Sequence, residues 1–435
     1  LWNNGEYNGN GAQTSVFGFN DRWDELGLLT FDDFYLCEGR VHRVQTIRGI
    51  MCTDAVIPKA SLVVVRDCNG RPSVENRDIV AFATQVASIE QDLDEFSDCL
   101  GGRIELRETG RVNADGFRII EVIATFDRAW LRGGNYWLSF FGTSGTANPL
   151  EQFFFAYAGD EGVVKGKPGV FYDVDTGVFT DVDTLCCGCT DFAFTVEGFY
   201  CKILHDNAVP IVATDSNTAA VFPATPSLQN GSRTTDKSRS ADDIVLPPCS
   251  FSQLCYAEAY IWTNCDRVFL ELYSNDCKKP GGEPFGTIEA SCVTDTGLRT
   301  WEPGSNIELK LLRAEFYDGW PKFRQNPNGS NLWISVFAQG DNRQNARAYL
   351  AFGNRCDRRC DITWNAGCFR GPAYATSPWR SARADYALMV AVAPGRRALP
   401  VVVTPPTCRA DVNQDGGVTV QDLFDFLSSY VAGCP

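Results

Sequence analysis

The fold is decided by a stretch that occurs twice in the chain, as Asn135-Tyr-Trp-Leu-Ser-Phe-Phe-Gly142 and as Asn331-Leu-Trp-Ile-Ser-Val-Phe-Ala-Gln-Gly340. Both copies are short and rich in aromatic and aliphatic residues, and turn-forming residues lie around them, as is typical of β-strands. A nearby segment, Ile307-Glu-Leu-Lys-Leu311, alternates apolar and charged residues with the period of two that indicates one buried face. These segments predict antiparallel β-sheets.

Further blocks recur in the same order in the two halves of the chain. The paired segments are Asp32-Asp-Phe34 with Asp242-Asp-Ile244, 44–51 with 256–264, 61–68 with 268–277, 119–130 with 307–320, and 191–198 with 385–392. A shared order of this kind indicates an internal duplication. The spacing of the β-rich segments predicts a mainly β protein of two tandem homologous antiparallel β-sandwich domains, jelly-roll-like in type. A helical exception is predicted over 79–96, where apolar residues recur at three and four positions.

The domain boundaries follow from this repeat and from composition. We expect the first sandwich over 1–202 and its repeat over 228–397. Residues 203–227 are predicted to be a linker. Residues 398–407 are Pro-rich and are predicted to be a second linker, extended and fairly stiff. The remaining residues, 408–435, form a small module with an α-helical, EF-hand-like pattern.

The 18 cysteines indicate a disulfide-bonded protein from an oxidising compartment. Their spacing does not match paired zinc motifs, and the chain has only 2 histidines that could share such a site. Each predicted domain holds an even number of cysteines, so we expect pairing within domains. For the cluster Cys186-Cys187-Gly-Cys189, a soft-metal site is the alternative.

The start of the chain and its charge favour an extracellular or cell-surface protein. The sequence begins Leu1-Trp2-Asn3 without a leader, so we expect that a signal peptide has been removed. It contains no run of the roughly 18 apolar residues that span a membrane. The net charge of −15 argues against binding to nucleic acids or anionic membranes.

The most specific motif is Asp411-Val-Asn-Gln-Asp-Gly-Gly-Val-Thr-Val-Gln-Asp422, near the C-terminus. Oxygen-bearing side chains at loop positions 1, 3 and 5, followed by Gly at 6, match the EF-hand calcium loop, in which they converge on the cation. The alternative is an Asx-rich turn without metal. The predicted calcium ligands are Asp411, Asn413, Asp415, Gly417, Thr419 (through water) and Asp422.

A helix is predicted after the loop, from apolar residues at helical spacing, namely Val420, Leu423, Phe424, Leu427 and Val431. Cys408 and Cys434 flank the module. We predict a disulfide between them, because so short a segment has almost no core of its own.

The module, which runs from Cys408 to the terminal Gly433-Cys434-Pro435, resembles the dockerin-type calcium repeat. More narrowly, it is similar to the terminal module of dockerin-anchored exoproteins of planctomycete bacteria, which end in Gly-Cys-Pro. The resemblance implies a calcium-dependent attachment module. Dockerins usually carry two loop–helix repeats, whereas this chain has one, so the usual two-repeat surface for a cohesin is missing. The two sandwiches resemble secreted β-sandwich repeats of such bacteria with an early Asp-Asp-aliphatic motif.

Catalytic motifs are not recognisable in the sequence. It contains no Gly-x-Ser-x-Gly elbow, His-Glu-x-x-His, phosphate loop or dinucleotide turn. His42 and His205 lie far apart, which leaves little scope for a Ser-His-Asp triad. We therefore predict a protein that is not an enzyme, although two of its 54 acidic residues would suffice for a glycosidase.

Weaker candidate sites remain. A second calcium site is one interpretation of Asp173, Asp175, Asp181 and Asp183, although a solvated acidic hairpin is favoured. Exposed tryptophans can bind sugars, and the candidates are Trp130, Trp137, Trp320 and Trp333. Trp137 and Trp333 lie within strand segments, so we expect them in the core. Asn-Gly-Ser sequons predict glycosylation at Asn230 and Asn328.

These patterns favour a non-catalytic extracellular structural or assembly protein. Its subunits would attach to each other or to a cell-surface anchor through the calcium-binding module, and a filament is one expected product. The apolar stripe led by Phe424 and Leu427 and the segment Leu1–Asn10 are the expected contacts with a neighbouring subunit. The alternatives are a carbohydrate-binding cell-surface exoprotein, with glycans as partners, and a dockerin-tailed polysaccharide hydrolase.

Overall fold

The structure is a computed structural model. It describes residues 1–4, 7–14, 16–20, 23–85, 99–144, 153–158, 166–182, 191–207, 210, 238–246, 251–265, 267–276, 279–280, 284–299, 307–316, 323–324, 330–339, 348–351, 369–372, 380–381 and 386–393. The chain divides into two compact units, Leu1–Ala393 and Pro394–Pro435, and the second lies outside the described residues.

Strands dominate the described part of the first half, and a 3-10 turn covers Asn76–Asp78. The strands are β1 (Trp2–Asn3), β2 (Tyr7–Thr14), β3 (Val16–Asn20), β4 (Trp23–Thr53), β5 (Pro58–Cys68), β6 (Arg71–Pro72), β7 (Ile79–Thr84), β8 (Gly101–Val112), β9 (Arg118–Ser144), β10 (Phe153–Ala158), β11 (Val170–Asp173), β12 (Val178–Asp181) and β13 (Phe194–Asp206).

The second half is also built from strands. They are β14 (Ser238–Leu246), β15 (Phe251–Ser252), β16 (Leu254–Thr263), β17 (Arg267–Tyr273), β18 (Asn275–Asp276), β19 (Lys279–Pro280), β20 (Gly286–Glu289), β21 (Cys292–Arg299), β22 (Glu308–Glu315), β23 (Phe323–Arg324), β24 (Ser330–Gln339), β25 (Ala348–Leu350), β26 (Phe369–Pro372), β27 (Arg380–Ser381) and β28 (Leu388–Val392). Within the described ranges, no helix is long and apolar enough to cross a membrane.

Two long strands, β4 and β9, organise the first half. They pair antiparallel, and the shift in register between Leu36 and Val41 divides the pair into two stretches. In one stretch Asp33 lies opposite Trp137, and β11 and β5 extend the sheet on either side. In the other stretch β8 pairs with β9 and β13 pairs with β4. Buried residues from both stretches pack in one core, which is consistent with a β-sandwich.

The second half has corresponding pairings between shorter strands. β14 pairs with β24 so that Asp243 lies opposite Trp333, and β26 and β17 extend that sheet. β16 pairs with β22 and β28, and β21 pairs with β22. Ile244 from the first set and Leu312 from the second pack in one core. The described chain is therefore mainly β in both halves, as predicted.

Strand β13 belongs to both halves. Its residues 194–202 pair with β4, whereas 202–206 pair with β28. On its other side β28 pairs with β16. The strands β8, β9, β4, β13, β28, β16, β22 and β21 thus follow one another as paired neighbours through both halves. Residues 203–206, predicted to begin a linker, are part of β13, and 211–237 lie outside the described residues.

Two disulfides join the halves, and for these cysteines the prediction of pairing within domains is wrong. Cys99 is bonded to Cys292, with their Cα atoms 5.3 Å apart, and Cys201 to Cys255, with 6.4 Å. Each of these bonds takes one cysteine from each half. Two such bonds use two cysteines of each half and leave an even number of cysteines in each. An even count therefore cannot distinguish pairing within domains from pairing between them.

The helix predicted over 79–96 is wrong at its start. Ile79–Thr84 is the strand β7, which pairs with β5 and buries most of its residues. A short apolar run is compatible with either structure, and here the partner strand decides. Residues 86–98 lie outside the described part of the chain.

The N-terminal residues pair within the chain. Trp2 and Asn3 pair with β13, and the Asn4 side chain donates a hydrogen bond to Asp32 Oδ2 at 2.8 Å. β2 pairs with β10. Part of the Leu1–Asn10 segment is therefore paired within its own chain, and the predicted contact of this segment with a neighbouring subunit stays a prediction.

Candidate functional site

The candidate site lies where the two halves of Leu1–Ala393 meet. Side chains alternate across a strand, so Tyr256, Glu258 and Tyr260 lie on one face of β16. The opposite face carries Ala257 and Ala259, which belong to the core of the second half. On the neighbouring strand β22, Arg313 lies opposite Glu258. The second face of this sheet therefore presents charged and aromatic groups towards the first half.

Strand β9 of the first half supplies Arg132, which binds two carboxylates. Its Nη2 and Nε lie 2.9 and 3.0 Å from Glu258 Oε2, and its Nη1 lies 3.1 Å from Asp206 Oδ1. The hydroxyl of Tyr256 donates to Glu258 Oε1 at 2.8 Å. Arg313 Nε is 3.5 Å from the same oxygen. Glu258, only 6% exposed, is thus held between two arginines that lie on different halves.

The electrostatics of this network favour the charged forms of its acid and its bases. Burial acts to raise the pKa of Glu258, but Arg132 and Arg313 outweigh it and hold that pKa below the usual value. Burial acts to lower the pKa of Arg132, and Glu258 and Asp206 outweigh it, so this pKa is raised. The pKa of Tyr256 is raised well above normal by burial and then by Glu258, which keeps its hydroxyl a proton donor.

Aromatic and covalent contacts close the same interface. The ring of Trp130 stacks on that of Tyr256, with centroids 4.5 Å apart and an angle of 21° between the planes. The disulfide Cys201–Cys255 lies next to Tyr256 in sequence. The other disulfide, Cys99–Cys292, joins residues at the starts of β8 and β21, the first and last strands of the continuous run. The sheet therefore folds back so that its two ends meet.

A cavity of about 260 Å³ lies at this junction. Three arginines face it, together with one acid, aromatic rings and aliphatic side chains. The lining consists of Arg66, Arg132, Arg313, Glu258, Trp130, Tyr136, Tyr260, Val80, Leu131 and Leu311. Its chemistry is that of a small, positively charged, partly apolar chamber.

The Asp-Asp-aliphatic motif has the same structural role in both halves. Asp32 accepts hydrogen bonds from the backbone of Asp33 at 2.9 Å and of Phe192 at 2.7 Å. Asp242 accepts the equivalent pair, from Asp243 at 2.9 Å and Tyr386 at 3.0 Å. Each buried carboxylate thereby binds the backbone just before the closing strand, β13 or β28. Burial and then Asp191 raise the pKa of Asp32 well above its ordinary value.

Several predicted site residues lie outside the described residues. They are the calcium ligands Asp411, Asn413, Asp415, Gly417, Thr419 and Asp422, the cysteines Cys408 and Cys434, the sequon residues Asn230 and Asn328, and Asp183, Trp320, Cys186, Cys187 and Cys189. The predictions made for them stay predictions.

The remaining acids of the predicted second calcium site lie on the β11–β12 hairpin. Asp173 Oδ1 accepts hydrogen bonds from the backbone of Asp175 at 3.0 Å and of Thr176 at 3.2 Å, so it caps the turn. Asp181, at the far end of the hairpin, forms an ion pair with Arg71. Among the described residues, no group of three or more His, Cys, Asp or Glu side chains is placed to hold a metal ion.

Trp137 and Trp333 are fully buried, as predicted from their positions within strands. Trp130 is also buried, at 6% exposure, so none of these three tryptophans presents a sugar-binding surface. His42 is buried with its Nε2 3.2 Å from the carbonyl oxygen of Cys37. Burial lowers the pKa of His42.

The residues of the junction were not predicted from the sequence. The available signal was a charge inside an otherwise apolar strand segment, as at Glu258 in Tyr256-Ala-Glu-Ala-Tyr260 and at Arg313 in Leu311-Leu-Arg-Ala314. A charge in such a position is costly to bury unless a partner of opposite sign is near. A scan against protein-family models finds no match to this chain, and a search of curated proteins finds none.

Proposed function

We propose that this chain is a non-catalytic extracellular structural protein, a stiff subunit that its C-terminal calcium module attaches to another copy or to a surface. The observation that supports this most is the way the halves are joined. β13 pairs with strands of both halves, and two disulfides tie them together. Proteins that close on a ligand between domains use a hinge, whereas here covalent bonds and a shared sheet oppose hinge motion. Two halves held at a fixed spacing suit a subunit of a larger structure.

We further infer that the halves are tandem homologous sandwiches of jelly-roll-like type. Trp137 and Trp333 lie opposite Asp33 and Asp243 in the same register. Beside them, Val65 and Tyr273 occupy equivalent positions on the next strand. A duplicated unit supplies two similar blocks for one rigid subunit.

The attachment step rests on the sequence of 408–435. A single loop–helix of the dockerin type leaves unpaired the apolar stripe led by Phe424 and Leu427, which a second repeat would normally cover. If the stripe of one copy packs on a different surface of the next copy, the contact can repeat from subunit to subunit. Such a repeated contact generates a filament, unless the rotation between neighbouring subunits closes a ring. Calcium bound by Asp411, Asn413, Asp415, Gly417, Thr419 and Asp422 would hold the loop. The disulfides between the halves are of the kind that oxidising, extracellular compartments permit.

The test is sedimentation velocity and negative-stain microscopy of the intact chain, with calcium and with chelator. We expect oligomers in calcium that dissociate on chelation. Deleting 405–435, or changing Asp415→Ala, should leave monomers in calcium. The control is Asp127→Ala, because Asp127 is an exposed acid outside the loop. An intact chain that remains monomeric in calcium contradicts the proposal, and so does a truncated chain that still assembles.

A further inference from the structure

We propose that the cavity at the junction is a binding site for a small monocarboxylate with a flat, apolar body. This proposal does not depend on whether the chain forms filaments. The cavity lies within Leu1–Ala393 and is lined by strands of both halves, including β5, β9, β16 and β22. Its volume of about 260 Å³ accommodates one small organic molecule or several waters.

The charge balance around the cavity predicts the charge of the ligand. Arg66, Arg132 and Arg313 carry three positive charges, and Glu258 and Asp206, which bind Arg132, carry two negative ones. One positive charge is left over. The guanidinium of Arg66 has no ion-pair or hydrogen-bond partner among the residues that the structure describes, and it is exposed. A single carboxylate would restore neutrality.

The geometry of the donors favours a carboxylate over a simple halide. A guanidinium presents its N–H groups in a planar fork that matches the two oxygens of a carboxylate. Arg66 lies directly opposite Tyr136 in the β5–β9 pairing, and the Tyr136 hydroxyl donates to the Arg132 carbonyl at 2.8 Å. These contacts hold Tyr136 in place in the cavity lining beside Arg66. Tyr260 also lines the cavity, and burial followed by Glu258 raises its pKa, so its hydroxyl remains protonated and able to donate.

The apolar part of the lining defines the body of the ligand. Val80, Leu131 and Leu311 supply aliphatic surface, and Trp130 and Tyr260 supply rings. A sulfate or phosphate would leave these groups in contact with water, whereas a cyclic acid would bury its ring against them. An aromatic monocarboxylate would therefore neutralise the extra positive charge and pack its ring against the apolar lining.

The experiment is isothermal titration of the full chain with benzoate, with benzyl alcohol and with sulfate. We expect saturable binding of one benzoate per chain and no binding of the alcohol, which lacks the charge. Sulfate should bind more weakly than benzoate. Arg66→Gln should weaken benzoate binding by about tenfold or more, because a charge-assisted hydrogen bond is lost. Arg66 is exposed, so this variant is expected to fold.

The matched control is Arg103→Gln, which removes an exposed arginine on β8 that pairs with Asp127 and does not line the cavity. Its affinity for benzoate should equal that of the wild type. Absence of a saturable signal with benzoate would mean that the cavity holds only water and would overturn the proposal. Equal affinities for benzoate and benzyl alcohol, or an Arg66→Gln variant that binds like the wild type, would overturn it as well.

Discussion

The first half of the molecule uses single long strands where the second half uses pairs of shorter ones. β4 and β9 each contribute to two sets of pairings, and their counterparts are β14 with β16 and β24 with β22. In both halves, nevertheless, a tryptophan lies opposite the second aspartate of the Asp-Asp motif. The comparison indicates that the fold depends on this register and on the buried aspartate, and that the continuity of the strands is dispensable.

Glycines account for the continuity in the first half. β4 changes register after Leu36, close to Gly39, whose φ of +69 is a conformation that other residues rarely adopt. On the neighbouring strand, a Cβ at Gly133 would collide with the backbone of Cys37 and Glu38. The two strands can therefore bend together here without a break.

The largest expected effect comes from removing the buried aspartates. Asp32→Ala leaves the buried backbone N–H groups of Asp33 and Phe192 without their acceptor, and Asp242→Ala does the same to Asp243 and Tyr386. Each change should lower the free energy of unfolding by about 3–5 kcal/mol, measured by urea denaturation. If one change is costly and the other is neutral, the halves are not equivalent.

Removing the disulfides between the halves should have the next largest effect. The paired changes Cys99→Ser with Cys292→Ser, and Cys201→Ser with Cys255→Ser, should each cost about 2–4 kcal/mol of unfolding free energy. With both bonds removed, thermal unfolding should separate into two transitions, because the halves are then coupled only by non-covalent contacts. Mass mapping of unreduced wild-type protein checks the pairing itself. Bonds confined to each half in that map would contradict the structure.

The smallest expected effect is a pH dependence at the second aspartate of the motif. Burial raises the pKa of Asp33 to about 6 from 3.8. Because the folded pKa is the higher one, the stability that Asp33 contributes is present below about pH 4 and is lost as the pH rises through 6. Asp33→Asn keeps an oxygen for the Lys167 backbone N–H, which Asp33 Oδ1 now accepts at 2.9 Å.

This variant should therefore match the wild type at pH 4 and exceed it by roughly 1–3 kcal/mol at pH 7, in urea denaturation at each pH. A constant difference between the two proteins across this range would contradict the shift. Asp243→Asn, at the equivalent position, measures whether the second half has the same dependence on pH.

The sequence was most informative where the signal was local. The repeated Trp137 and Trp333 segments correctly predicted strands that bury their tryptophans, because period and composition specify a strand without reference to its partner. The β7 strand was mistaken for a helix because only its pairing with β5 distinguishes the two.

The junction could not be predicted for a related reason. Arg132 and Glu258 are separated by 126 positions in the chain and meet where β28 pairs with β13 on one side and with β16 on the other. An even number of cysteines in each half was likewise compatible with bonds between the halves. No local pattern specifies which distant strands become neighbours.

The bond between Cys99 and Cys292 also sets an order of events during biosynthesis. The two residues are 193 positions apart, so at 5–20 residues per second the second emerges roughly ten to forty seconds after the first. Throughout that interval the thiol of Cys99 exists without its final partner, whereas Cys255 follows Cys201 after only 54 residues. Because β28 comes near the end of the described chain, residues 202–206 of β13 obtain their neighbour only then. The N-terminal half therefore cannot be completed until nearly the whole polypeptide has been made, and any earlier disulfide of Cys99 or Cys201 must be exchanged.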